Sequence, residues 1–340
     1  MMQPGNRSER ADAERIDAER AADAGPLVSD VVVRAEMPIV SIIFVSYRTR
    51  ELTLTSIESV MSSMREDPMP YEIILVENDG GDGTVEAVAE RFPAVRILDN
   101  GENVGFGRGN NSGASVARGS LLFFLNTDTE IHPGAIQAMV HRLASQPTWG
   151  ALGVRLVNPD GSAQPSILTL PTVWRIFCEF FWLDRLKIRR FSGPYDQRVD
   201  PTKPGVIEAA NGAALMVRRE LFERIGGFDP DFFMYYEECD LCRRIRSNGS
   251  EVGYEPEAVV MHHVGASSSD RPWWFFRIMR SSRRIYGRKH FTMMERGAVD
   301  AIVAIGYLLR IILFSLAGIV NPRLRRLGRS MLYSYIKPNR

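Results

Sequence analysis

The sequence predicts an α/β fold: an open, doubly wound sheet flanked by helices, followed by a helical C-terminal extension. Two observations carry the prediction. Between residues 38 and 157, short apolar runs alternate with helix-length segments through short loops, the pattern of parallel strands and crossover helices. Beyond residue 271 the turn-bounded runs stop, and basic, aromatic and long apolar stretches take over.

Taken in order, the first strand is the β-branched run at 40–46, and the second the run at 71–76. Runs follow at 95–98, 121–125 and 151–157. Continuous apolar runs of this length suit strands buried on both faces. Helices are expected near 51–64, 84–91, 108–118 and 133–144. Residues 158–204 are loop-rich, with many prolines and aromatics. Order resumes with an apolar run at 213–217, a helix at 237–246 and a strand at 258–261. Helix returns from 271, where residues 301–320 are almost wholly apolar but broken by Arg310.

These boundaries give three parts: a tail at 1–37, disordered or loosely helical, an α/β domain at 38–270, and a basic helical extension at 271–340. The tail contains no apolar stretch of the kind a signal peptide needs. Net charge is +1, so the chain as a whole does not read as a nucleic-acid binder. From 271 to 340, however, fifteen Lys and Arg face two acids, Glu295 and Asp300. Such a field suits an anionic lipid surface. Three cysteines, Cys178, Cys239 and Cys242, form no disulfide framework and fit a reducing compartment.

In an open α/β sheet, ligands sit beyond the carboxyl ends of the strands, so the strand ends carry the chemistry. The fourth run ends Leu125-Asn126-Thr127-Asp128. Mg²⁺ or Mn²⁺ takes one or two carboxylates plus phosphate oxygens, which makes Asp128 a metal ligand with Asn126 and Thr127 beside a diphosphate. Alternatively Asp128 only closes a turn. After the second run, Glu77, Asn78 and Asp79 could accept hydrogen bonds from a base and ribose. After the first, Ser46 and Tyr47 could face a pyrimidine. The glycine-rich stretch 103–111 reads G-x-G-x-G and follows the third strand rather than the first, so it is no dinucleotide fingerprint. It reads as a loop across a donor, with Asn103 and Gly105 in it and Arg108 near phosphates.

The segment 226–244 packs acids among aromatics ahead of a helix. A carboxylate with apolar neighbours and other acids nearby has a raised pKa and suits general-base work. Glu237, Glu238 and Asp240 are the candidates; the alternative is a helix start, where acids are favoured by the dipole. Cys239 and Cys242 lack a second pair at zinc spacing and read as packing. His262 and His263 follow a strand; either could complete a metal shell, or both could be structural.

Together these stretches resemble glycosyltransferase family 2, the inverting GT-A enzymes, and among them the bacterial rhamnosyltransferases of cell-wall and surface polysaccharides. The matching motifs are 41–47, E-N-D-G-G-D-G-T at 77–84, N-V-G-F-G at 103–107, L-N-T-D at 125–128, 211–218, G-G-F-D at 226–229, 235–243 and H-H-V-G-A-S at 262–267. The resemblance implies a GT-A mixed sheet, a nucleotide diphospho-sugar donor (dTDP-rhamnose first) and a divalent metal, Mn²⁺ or Mg²⁺, on its diphosphate. It implies Asp128 and His262 or His263 as metal ligands. Ser46, Tyr47, Glu77 and Asn78 would line the nucleotide, and Glu238 would stand as general base where the family often has Asp. Asn126 stands where the family has the first acid of its D-x-D motif.

A lipid-linked or polysaccharide acceptor would follow, at the cytoplasmic face of a bacterial inner membrane. Trp273, Trp274, Phe275 and Phe276 beside several arginines suit an interfacial helix. Residues 301–320 are long enough to span, but a central Arg costs roughly 2.5–3.5 kcal/mol on insertion scales, which favours peripheral attachment. A homodimer is compatible with an apolar helix packed on a second subunit. Two rival readings are a nucleotidyltransferase, disfavoured because the loop after the first strand has no glycine, and a non-catalytic nucleotide-sugar-binding or scaffold subunit.

Overall fold

A computed structural model describes residues 37–186, 188, 190–263, 272–317 and 321–336. The expected N-terminal tail therefore lies outside the described residues, apart from Met37. So do residues 264–267 of the histidine motif.

The first half alternates as expected. Strand β1 (Val40–Ser46) leads to helix α1 (Arg50–Glu66), β2 (Tyr71–Glu77) to α2 (Thr84–Arg91), and β3 (Arg96–Asp99) to α3 (Phe106–Val116). Then come β4 (Leu121–Asn126), the short β5 (Thr129–Ile131), α4 (Ala135–Ser145) and β6 (Trp149–Val157). The loop-rich region holds β7 (Ala163–Gln164), β8 (Ile167–Leu168), α5 (Val173–Phe180) and a 3-10 turn, Leu183–Leu186. Strands β9 (Gly205–Ile207), β10 (Ala209–Ala210) and β11 (Ala214–Arg218) precede α6 (Arg219–Arg224), α7 (Glu237–Ser247) and β12 (Glu251–His262). Three helices end the chain: α8 (Pro272–His290), α9 (Met293–Ala317) and α10 (Pro322–Ile336).

The main sheet is mixed, with order β3-β2-β1-β4-β11-β6-β12-β5. The first four strands run parallel, as their apolar runs predict. Strand β11 enters antiparallel between β4 and β6. Strand β12 is parallel to β6 but antiparallel to β5 and β9. This is the mixed GT-A-like arrangement that the resemblance implies.

The sheet separates two cores. Alternation along β1 sends Ile42 and Phe44 to one face and Ile43 to the other. The first face is covered by Ile57 and Val60 of α1 and Ile136 and Met139 of α4; the second by Leu241 and Ile245 of α7 with Phe222 and Phe228. Each fully buried side chain of this kind is worth about 1.5–3 kcal/mol. A third, smaller core joins α5 to the C-terminal helices: Ile176 and Phe180 pack on Val299, Val303, Tyr307 and Met331.

Candidate active site

The parallel register brings the chemistry to one edge. Val45 of β1 lies beside Asn126 of β4, and Ser46 beside Glu77 of β2. The motifs after these three strands therefore emerge side by side.

Asp128 is nearly buried, and its Oδ1 lies 3.4 Å from His262 Nε2 at the end of β12. The two are 134 positions apart; antiparallel pairing of Thr129 in β5 with His262 joins them. His263 turns away and meets Glu130 Oε1 at 2.7 Å. Gln164 on β7 fixes the His262 ring: its Oε1 is 2.7 Å from Nδ1, while its Nε2 donates to Asn158 Oδ1 and the His262 carbonyl. Gln164 Oε1 can only accept, so Nδ1 donates to it, and a neutral ring then has its Nε2 lone pair facing the Asp128 carboxylate. Two acceptors facing each other across 3.4 Å suit a cation between them. Among the described residues no three acids, histidines or cysteines gather into a full protein cage. Two ligands plus phosphate oxygens is nevertheless the donor set Mg²⁺ or Mn²⁺ commonly takes with a nucleotide, so the residues fit a divalent metal. Thr127 is buried with its hydroxyl 3.0 Å from that of Thr49, which pins the turn to the loop after β1.

The nucleotide-side candidates divide. Tyr47 is half-exposed at the rim, and Ser46 is buried. Glu77 is fully buried, and burial raises its pKa even though the Asp79 amide donates to it. Asn78 is occupied in joining loops: its side chain donates to the Gly105 carbonyl and Asn103 and accepts from Asn100. Asn103 accepts from the Gly105 amide. Gly105 itself has φ +91°, and a Cβ there would stand 2.3 Å from the Phe233 carbonyl oxygen. The glycine lets the 103–107 loop touch the 226–236 segment, where Phe106 N donates to that same carbonyl. Arg108 donates to the Pro230 carbonyl, so it serves this junction too. Asn111 clamps Phe228 through both backbone groups.

The acidic helix start lies across β11. Asn126 N donates to Ala213 O, and the next residue back, Gly212, lies against Glu238. Asn126-Thr127-Asp128 and Glu238 thus flank the same short strand entry. Burial raises the pKa of both Glu237 and Glu238, and the Glu238 charge pushes Glu237 further up. One oxygen of each carboxyl is buried without a hydrogen-bond partner. Asp240 is different. It sits 2.7 Å from each of Arg244, Lys289 and His290, and hydrogen bonds to His290 and Lys289, with the Arg244 charge, outweigh burial and hold its carboxyl down to about 2. Cys239 and Cys242 are buried free thiols in the core, their pKa raised by burial, that of Cys242 to about 12.

Sequence reasoning missed Gln164, Thr49 and Tyr195. Tyr195 comes close enough to Glu238 that the Glu238 charge, after burial, raises its pKa. All three lie in loops or a two-residue strand, where no periodicity marks them.

The glycosyl transferase family 2 model matches residues 41–226. The N-acetylglucosaminyl-diphospho-decaprenol L-rhamnosyltransferase of Mycobacterium tuberculosis is 32% identical over 221 residues, which cover 60% of this chain and 70% of that protein. The O-antigen biosynthesis protein RfbC of Myxococcus xanthus is 29% identical over 236 residues, covering 68% of this chain and 18% of the much longer relative. Among solved structures, the mannosyltransferase PcManGT from Pyrobaculum calidifontis, in complex with GDP-Man and Mn²⁺, is 16% identical with a TM-score of 0.55. It covers 97% of this chain and 95% of its own. GalNAc-T7 with UDP, GalNAc and Mn²⁺ aligns at a TM-score of 0.52 and 16% identity over 72% of this chain and 48% of its own. These two likenesses show the fold.

Proposed function

The chain belongs to glycosyl transferase family 2, and on that premise we propose that it moves L-rhamnose from dTDP-rhamnose to a lipid-linked diphospho-sugar by a single, inverting displacement. The observation that carries the reading is Glu238: a carboxyl of raised pKa with one oxygen unpartnered, beside the strand entry that leads to Asp128. A base poised upward by burial takes the acceptor hydroxyl's proton as that oxygen attacks the anomeric carbon. Such a base contributes about 10²–10⁴-fold. Back-side attack turns a β-linked donor into an α-linked product. Burial and the neighbouring Glu238 charge raise the Glu237 pKa, which favours its neutral form and so limits negative charge beside the base. Asp240, engaged by Arg244, Lys289 and His290, is a structural acid in this scheme.

Asp128 and His262 would hold a divalent metal, which when bound supplies Lewis-acid stabilisation of the departing diphosphate. His263, paired with Glu130, stands outside that pair. Ser46, Tyr47 and Glu77 would line the nucleotide, with Asn78, Asn103 and Gly105 shaping the loop over it. The rhamnosyl donor and diphospho-lipid acceptor are supported by the name of the mycobacterial relative, and the metal by the contents of the two solved neighbours.

Residues 271–340 would seat the enzyme on the membrane surface. Helix α9 is long and apolar enough to cross a bilayer, and most of its apolar stretch is not buried against the rest of the protein. Its Val303 and Tyr307 pack on α5, whereas Ile305, Leu308, Ile312 and Leu316 are exposed. Arg310 in mid-helix donates to the Glu179 carbonyl. A helix with one face committed to protein and its central Arg fastened there favours lying along the interface over spanning it.

The test is donor protection. The purified chain is melted with dTDP-rhamnose, UDP-glucose, UDP-galactose or GDP-mannose, each with and without Mn²⁺. A ligand at about 100 times its Kd stabilises by roughly 2.7 kcal/mol. The expected result is an Mn²⁺-dependent shift with dTDP-rhamnose that Asp128→Ala abolishes. Glu238→Gln should keep the shift and lose turnover. A folded chain protected by none of the donors sinks the reading.

A further inference from the structure

We propose that Arg283 of α8 is a positioning residue for glycosyl transfer: through the Tyr236 hydroxyl it holds the strained turn that starts α7, and so aims the Glu238 carboxylate. The proposal rests on Glu238 as the base.

The turn needs holding. Tyr235 and Tyr236 are consecutive non-glycine residues with φ of 67° and 73°. Left-handed backbone is disfavoured for an L-residue by contact between Cβ and the carbonyl oxygen, and such strain persists only where the surroundings over-determine it. Tyr236 is also the N-cap of α7, and its side chain caps none of the helix amides. The N-cap side chain therefore supplies none of the bonds that usually help fix a helix start, although its next two residues are the acids of the site.

Helix α8 provides the hold. Ser282 Oγ donates to the Met234 carbonyl at 2.7 Å, and Arg283 Nε donates to the Tyr236 hydroxyl at 2.9 Å. The guanidinium lies 5.8 Å from the Tyr236 ring centre and 4.7 Å from that of Phe180. One turn on, the Tyr286 ring packs 5.7 Å from the Tyr236 ring. Below the turn, Lys289 bonds Asp229, and Lys289 and His290 bond Asp240. Contacts from α8 thus reach the segment at 229, 234, 236 and 240.

Arg283 is conspicuous among them because it is expensive. It is 4% exposed, its Nη1 has no partner, and its Nε bonds a phenol rather than a carboxylate. The Glu179 charge favours the guanidinium, but among the described residues no carboxylate bonds it directly, and burying a cation on those terms is costly. What an apolar residue cannot do is donate a directed hydrogen bond to the Tyr236 oxygen while its plane lies against two rings.

The test uses the full chain and three variants: Arg283→Met, Arg283→Lys and Tyr236→Phe. Amide hydrogen exchange over residues 228–241 reports the tether. Turnover is measured with dTDP-rhamnose and a short-chain N-acetylglucosaminyl-diphospho-lipid. Arg283→Met and Tyr236→Phe should both speed exchange in that segment while β1, β2 and β4 stay protected. Both should lower kcat by about tenfold to a hundredfold, the scale of an ångström-level misplacement, with the donor KM unmoved. Arg283→Lys, which can still donate, should recover part of the loss. The double variant Arg283→Met/Tyr236→Phe should be no worse than either single change, because the two share one bond.

Unchanged exchange in Arg283→Met and Tyr236→Phe overturns the proposal, as does faster exchange with kcat intact. A joint loss of kcat, donor binding and melting temperature also overturns it, since that is what a merely structural role predicts. If Arg283→Met does not fold, Tyr236→Phe, which removes one oxygen, decides alone. A parent chain that turns over no sugar refutes the reading of the site, whereas the exchange data still decide the tether.

Discussion

Replacing Asp240 by Asn tests the electrostatics of the helix that carries the proposed base. The Asp240 carboxyl is wholly buried and meets Arg244, Lys289 and His290, each at 2.7 Å. Hydrogen bonds to His290 and Lys289 lead the stabilisation of its anion and lower its pKa from 3.8 to about 2. At about 1.4 kcal/mol per tenfold, that depression stabilises the folded chain by roughly 2 kcal/mol. Because the folded value is depressed, the stabilisation is complete above the unfolded value near 4 and is lost as pH falls toward 2. Asp240→Asn should therefore lower the melting temperature at pH 7 by about 5 °C, taking roughly 2–4 °C per kcal/mol for a chain of this order. Loss of the anion for Arg244 and Lys289 makes this a minimum. Melts followed by circular dichroism from pH 7 to pH 3 should show the gap between parent and variant closing only below about pH 4. No gap at pH 7, or one of constant size down to pH 3, would refute the reasoning.

Two further outcomes follow from the same site and its surroundings. Glu237 has a raised folded pKa, so the folded chain prefers its protonated form, and stability falls as pH rises through the window above the unfolded value of about 4.3. Glu237→Gln does not titrate; without donor it should melt above the parent at pH 8 and level with it near pH 4, and equal melting at both would contradict the assigned burial cost. On α9, Leu308 is exposed, and burying a leucine is worth about 1.5–3 kcal/mol. Leu308→Asp should weaken sedimentation with phosphatidylglycerol vesicles at least about tenfold without changing the melting temperature, and undiminished binding would remove α9 from the membrane contact.

Much of the fold was legible because a buried parallel strand writes itself as an unbroken apolar run. Strands β1, β2 and β4 and the helices after them appear within about two residues of where composition puts them. Strand direction is another matter. The run at 213–217 is visible as a strand, but nothing in it says that it enters antiparallel between β4 and β6. Strands β5, β7, β8 and β10 are two or three residues long, too short to show a period.

The site shows the same division. Asp128 and the histidines were nameable as types, but which histidine meets which acid depends on strand alternation: neighbours in an extended chain point opposite ways, sending His262 to Asp128 and His263 to Glu130. Helix geometry likewise parts Glu238 from Asp240, since residues two apart do not share a face. One reaches the Gly212 strand entry, the other α8. Gln164 left no trace, because its role depends only on where a two-residue strand leaves it.

The late arrival of β11 bears on how the enzyme comes to exist at all. Its two neighbours in the sheet, β4 and β6, are complete by residue 157, yet the strand that joins them spans 214–218. A growing chain therefore holds two strand edges open for some sixty residues of synthesis, and open edges invite pairing with other chains. Closing them is a non-local event, of the kind that slows folding. The turn that bears the proposed base follows β11 in the chain and leans on α8, which comes later still. Assembly thus runs from scaffold to keystone to chemistry, and a nascent chain stopped before residue 218 would be sticky and inert.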